Sequence, residues 1–138
     1  MSMYRILLPV DDDENRARSQ AEFVTGLPGT ADIEVVVTHT LTGEEADAPD
    51  ELQNLDRVDT VSLVRDRLED DGVAVELAEA RHPPADGILE IAAEFDVDHI
   101  AMGTHRRSPT GKALFGSVAQ QVLLDADVPV TVVNAESE

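Results

Sequence analysis

The chain has no cysteine, which excludes disulfides and thiolate chemistry and leaves only histidine and carboxylates to hold a zinc ion. Positive charge is scarce. One lysine, Lys112, and nine arginines face 29 acidic residues, for a formal net charge of −19 over 138 residues. A surface of that sign repels nucleic acid and anionic membranes. A polyanion could be met only at a local basic patch, and Arg106-Arg107 with Lys112 is the candidate. No apolar run approaches the length that crosses a bilayer and no signal-peptide pattern is present, so a soluble, cytoplasmic protein is expected. The length suits one domain over residues 1–138, large enough to bury a core. The acidic residues are spread along folded-looking segments instead of forming a tail. That distribution points to adaptation to a salty cytoplasm, where ions screen their mutual repulsion.

What is present is a regular alternation. Ile6-Leu7-Leu8-Pro9-Val10 is a continuous apolar run, suited to a strand buried on both faces, and it stops at Asp11-Asp12-Asp13. An acid there can cap a helix carrying Ala17, Ala21 and Val24 on one face and ending at Gly26, while Asp11, nearest the strand end, can face the crevice above the sheet. Ile33 to Val37 predicts a second strand running out through Thr38-His39-Thr40, and Gly43 to Asp50 a surface loop. Leu55, Val58, Val61, Val64 and Leu68 recur at helical spacing between Glu51 and Asp71, before Gly72. Val73 to Glu79 alternates only partly, as an edge strand would. Pro83-Pro84 opens a helix with Ile88, Ile91, Ala92 and Phe95 as its buried stripe. A strand to Met102, a helix from Ser117 to Asp125 with Val118 and Val122 inward, and a strand Val130 to Val133 complete the order β-α-β-α-β-α-β-α-β. Such alternation predicts an open, Rossmann-like parallel sheet with helices on both faces, whose ligands sit beyond the carboxyl ends of the strands.

The stretch most suggestive of chemistry runs from Asp98 to Ser117. An apolar strand reaches Gly103, a basic loop rich in Gly and Pro follows, and Gly116-Ser117 opens a helix. Bare backbone and the unpaired N–H groups of a first helical turn together suit a phosphate. The loop is not a Walker A motif. The first glycine of G-x-x-x-x-G-K-[ST] would fall on Arg106, and Lys112 is followed by Ala113 where a magnesium-binding hydroxyl belongs. No activated nucleophile and no isolated acid–base pair stand out. His39, His82 and His99 are too scattered to suggest a metal site.

Three stretches in order resemble the universal stress protein family. They are Ile6 to Asp11 (I-L-L-P-V-D), Met102-Gly103-Thr104-His105 with Gly116 to Leu123 (G-S-V-A-Q-Q-V-L), and Val128 to Val133 (V-P-V-T-V-V). The middle one is similar to that family's nucleotide loop, G-x-x-G-x(9)-G-[ST]. The resemblance implies a five-stranded parallel sheet of order 3-2-1-4-5, which makes the first and fourth strands neighbours, and a homodimer through Val130 to Val133. It further implies an ATP or AMP site, with Mg2+ as a possible companion. Asp11, after Pro9 and Val10, would approach the ribose, and backbone near Thr40 would receive the adenine. Phosphates would lie against Gly103, Gly116 and Ser117, with Met102, His105 and Val118 close by.

The sequence departs from the motif at its second glycine, where Arg106 stands. If the backbone there needs a positive φ, a side chain costs about 1 kcal/mol or more. Either the loop follows another path and ATP binding is lost, or Arg106, Arg107 and Lys112 supply charged donors and still hold phosphate. Two functions are therefore carried forward. One is a nucleotide-binding stress-response protein with slow or no hydrolysis; the other is a dimeric interaction module of the same family that binds no nucleotide. An ATP-hydrolysing enzyme ranks third.

Overall fold

The computed structural model describes residues 3–11, 13–39, 59–79, 83–105 and 117–135. Its elements are β1 (Tyr4–Val10), α1 (Glu14–Thr25), β2 (Ile33–His39), α2 (Asp59–Asp70), β3 (Ala74–Ala78), α3 (Pro84–Glu94), β4 (His99–His105), α4 (Ser117–Asp125) and β5 (Val130–Ala135), with a 3-10 turn at Thr30–Asp32. The strands form one sheet in the order β3-β2-β1-β4-β5, and every neighbouring pair is parallel. The expected open α/β sheet is therefore observed, in the expected order.

Successive residues of a strand point to opposite faces, and the two cores follow that period. Ile6, Leu8 and Val10 join Val35 and Val37 against Ala17, Ala21 and Val24 of α1 and Val61, Val64 and Leu68 of α2. Leu7, Val36, Ile100 and Met102 pack on the other face against Ile88 and Ile91 of α3 and Val122 of α4. Because β1 and β2 are covered on both sides, their centres, Ile6 to Val10 and Val35 to Val37, are unbroken apolar runs; β3, at the edge, exposes Ala74 and Glu76. Ala92, Phe95 and Val118, expected inward, lie at the rim of the second core and are only half-buried.

Local signals account for most element ends. The Asp13 side chain accepts the Arg16 N–H at 2.9 Å and caps α1, as an acid at that position should. Gly72 ends α2 in the left-handed region, at φ 81, and the Val73 N–H reaches back to the Leu68 carbonyl at 3.0 Å. The end of α3 uses the same device with Asp96 at φ 54, and the Val97 N–H bonds the Ala92 carbonyl.

Three boundaries differ from the sequence reading. β1 begins at Tyr4, two residues before its apolar run. β4 continues through Gly103, Thr104 and His105, and β5 through Asn134 and Ala135. The last two extensions are paired with each other, Gly103 opposite Val133, Thr104 opposite Asn134 and His105 opposite Ala135. A partner strand thus holds residues whose own composition reads as loop. The expected loop Gly43 to Asp50, and the first part of the helix expected from Glu51, including Leu55 and Val58, lie outside the described residues.

Candidate functional site

The sheet order reverses between β1 and β4, and the crevice of such a sheet opens at the carboxyl ends of those strands. Pro9 and Val10 end β1, both buried, beside Thr38 and His39 of β2. Asp11 follows immediately. Gly103 lies on the neighbouring strand β4, and His105 is that strand's last residue. Ser117 is the first residue of α4, so the helix start expected there is observed. The N–H groups of that first turn have no partner within the helix. The Met102 side chain is buried in the core beneath α3 and α4, whereas Val118 lies half-buried at its rim. Thr40, Arg106, Arg107 and Gly116 lie outside the described residues.

Asp11 is already engaged. Its Oδ2 accepts from both Nε and Nη2 of Arg16, at 2.9 and 2.8 Å. Its Oδ1 accepts the Asp13 N–H at 3.0 Å, and its carbonyl accepts the Thr60 hydroxyl at 2.6 Å. The expected acceptor for hydroxyls is thus tied to the start of α1 and the start of α2 at once. Two N–H donors of one guanidinium on a single carboxylate make a strong, oriented ion pair.

Gly103 also has a packing role. A Cβ there would lie 3.2 Å from the Arg16 Cβ and 3.2 Å from the Gln20 Oε1. The missing side chain faces α1, so close packing of that helix against β4 explains the glycine without any ligand. Gln20, 1% exposed, donates from Nε2 to the carbonyls of Pro9 at 2.8 Å and Ala101 at 3.0 Å. One buried amide thereby joins the two strand ends that border the crevice.

Arg16 and Gln20 were missed from the sequence, although a signal existed for each. A glutamine one position before Ala21, on the apolar face of α1, has to satisfy its amide inside the protein. An arginine one turn into a helix that follows several acids has a carboxylate within reach. A third polar group near the crevice is the Thr38 hydroxyl, 1% exposed and without a hydrogen-bond partner among the described residues. A buried hydroxyl of that kind is one that an ordered water or a ligand atom would satisfy. No group of three His, Asp or Glu side chains converges on a metal-sized position among the described residues.

The opposite end of β4 carries a separate polar chain. The Tyr4 hydroxyl lies 2.9 Å from His99 Nδ1, and His99 Nε2 lies 2.6 Å from the Thr131 hydroxyl. The rings of Tyr4 and Phe23 border the imidazole. Burial among these neighbours lowers the His99 pKa below its ordinary value of 6.5. This chain lies at the amino ends of the strands and does not belong to the crevice.

Taken together, the fold and crevice define an open α/β protein of the kind that takes ligands at a topological switch point. The universal stress protein family model matches residues 3–134, and the chain belongs to that family. A universal stress protein from Archaeoglobus fulgidus is 30% identical, with a TM-score of 0.76, covering 96% of this chain and 99% of its own. A second structure from that organism, solved in complex with dAMP, is 27% identical with a TM-score of 0.72 and the same coverage. A family member from Arabidopsis thaliana with AMP bound shares the fold at 13% identity and a TM-score of 0.67, covering 97% of this chain and 93% of its own. No curated protein matches the chain significantly. Among the described residues, no helix is long and apolar enough to cross a membrane.

Proposed function

We propose that this chain is a cytoplasmic, single-domain adenine-nucleotide-binding regulator of stress responses, which binds ATP or AMP and does not depend on catalysis. The observation that carries the reading is the switch point itself: β1 and β4 are neighbours in the sheet, Asp11 follows the end of one, and α4 opens at Ser117 in the chain that leaves the other. Support comes from the relative at 27% identity solved with dAMP. In this reading the adenine rests near Thr40, close to the Thr38 hydroxyl, and the ribose lies by Pro9, Val10 and Asp11. The phosphates meet Gly103, His105, Arg106, Arg107, Gly116 and Ser117. Asp11 and Asp13 already share the charge of Arg16, so a magnesium ion would enter on the phosphates of ATP and not on these carboxylates.

The protein works as a homodimer through β5, which is an edge of the sheet with Val130, Val132 and Val133 only half-buried. Neither nucleic acid nor a membrane surface is a partner, given the net charge of −19. The second reading, an interaction module that binds no nucleotide, draws support from the same ion pair, because an engaged Asp11 is a poorer acceptor for a ligand.

One experiment separates the two. The purified protein is denatured and spun, and the supernatant is examined for adenine absorbance and nucleotide mass. In parallel, melting is followed with ATP and magnesium. Released nucleotide, or a rise in melting temperature that Gly116→Asp abolishes by placing a negative charge against the phosphates, is the expected result. A blank supernatant with no shift leaves the interaction module, and phosphate release above a protein-free control would make the chain an enzyme.

A further inference from the structure

We infer that Arg16 is a specificity-determining residue of this site: by pairing with Asp11 it mutes recognition of the ribose hydroxyls, so that the crevice selects its ligand by an anionic group. The inference rests on the nucleotide reading and extends it to a residue of α1 that the sequence motifs do not contain.

The argument begins with the lone pairs of Asp11. A carboxylate offers about four acceptor positions. Arg16 Nε and Nη2 both use Oδ2, at 2.9 and 2.8 Å, and the Asp13 N–H uses Oδ1 at 3.0 Å. A ribose hydroxyl would have to share Oδ1 with that backbone donor or displace the guanidinium. Displacement is opposed by burial: the Arg16 side chain is 14% exposed and that of Asp11 25%, and giving up two short charge-assisted hydrogen bonds in so sheltered a place is unfavourable. Sharing is weak, because a carboxylate already neutralised by an arginine attracts a further hydroxyl less than a free one does.

The same pair changes how the crevice treats an anion. An unpaired Asp11 at the mouth of β1 would repel a phosphate brought to Gly103 on the next strand. Arg16 offsets much of that charge, because its guanidinium lies on Asp11 Oδ2 at 2.8 Å and only more distantly, at 3.8 Å, on Asp13, while its Cβ packs beside Gly103. Position is secured from two sides. The Arg16 N–H is capped by Asp13 at 2.9 Å, and the Asp11 backbone is held by the Thr60 hydroxyl. The pair is therefore part of the folded scaffold.

The test is calorimetric titration of the full chain, and of its Arg16→Gln and Arg16→Lys variants, with AMP, its 2′,3′-dideoxy analogue and adenosine, after circular dichroism has shown each protein folded. For the natural chain, AMP and the dideoxy analogue should bind within about threefold of each other, and adenosine about tenfold or more weaker. Arg16→Gln frees the carboxylate, so AMP should gain roughly a tenfold preference over the dideoxy analogue while adenosine closes on AMP. Arg16→Lys, which keeps the charge on a single-point contact, should fall between. A natural chain that already prefers AMP tenfold, or ratios unchanged in Arg16→Gln, overturns the inference while leaving the nucleotide reading intact. Silence of all three proteins toward all three probes would remove the nucleotide reading and this inference with it.

Discussion

The Oε1 of Gln20 stands 3.2 Å from the point where a Cβ on Gly103 would lie. That relationship assigns the glycine to the packing of α1 against β4. Gln20 cannot easily retreat, because its Nε2 is held by the carbonyls of Pro9 and Ala101.

Gly103→Ala should therefore cost stability before it costs binding. The expected loss is about 1–2 kcal/mol in urea denaturation, the size of a modest overpacking penalty. Ligand affinity of the folded variant should be nearly unchanged. A variant of natural stability that no longer binds would show that the missing Cβ, and not the backbone alone, serves the ligand.

His99 predicts a pH dependence of defined sign. Its pKa is lowered by burial, so the unfolded chain takes up the proton first. The contribution to stability is complete above 6.5 and declines as pH falls below 6.5 toward the folded value. The groups facing the ring are the Tyr4 and Thr131 hydroxyls and the Phe23 ring, and the neighbouring Asp98 carboxylate is turned to the Arg5 N–H. Melting temperatures of the natural chain and His99→Gln, compared from pH 7.5 to 5.5, should converge or cross as the solution is acidified. Parallel curves would show that His99 does not titrate within this window.

Asp96 holds φ 54 at the end of α3, a conformation that costs a side chain about 1 kcal/mol relative to glycine. Asp96→Gly should accordingly raise stability by about 0.5–1 kcal/mol, the entropy of the freer unfolded chain offsetting part of the gain. Chemical denaturation of both proteins checks it, and a less stable glycine variant would mean that the carboxylate makes a contribution beyond its backbone conformation.

The charge of −19 predicts a response to salt. If the protein is adapted to a saline cytoplasm, its melting temperature should rise between dilute buffer and about 2 M KCl, because screening at that strength shortens electrostatic reach to a few ångström. Equal or greater stability in dilute buffer would refute the adaptation.

Much of the architecture was legible along the chain because burial on two faces leaves a one-dimensional trace. Ile6 to Val10 and Ile33 to Val37 read as strands since nearly every position in them must be apolar, and Asp13 and Gly72 mark helix ends through local chemistry. The strand order could not be read in that way. It required the resemblance at Ile6 to Asp11, Met102 to His105 and Val128 to Val133, because nothing in a periodicity says which strand lies beside which. The extension of β4 through His105 was likewise hidden, being imposed by hydrogen bonds to β5 and not by residue preference.

The sequence by itself determined the type and order of the elements, the acidic surface and the positions from which an acid and a helix start could meet a phosphate, all of which depend on local propensity and side-chain polarity. Only the tertiary structure decided what those groups do once assembled. It brought Gln20 beneath Gly103 and Thr60 onto the Asp11 carbonyl, because contacts between residues distant along the chain are set by packing in three dimensions.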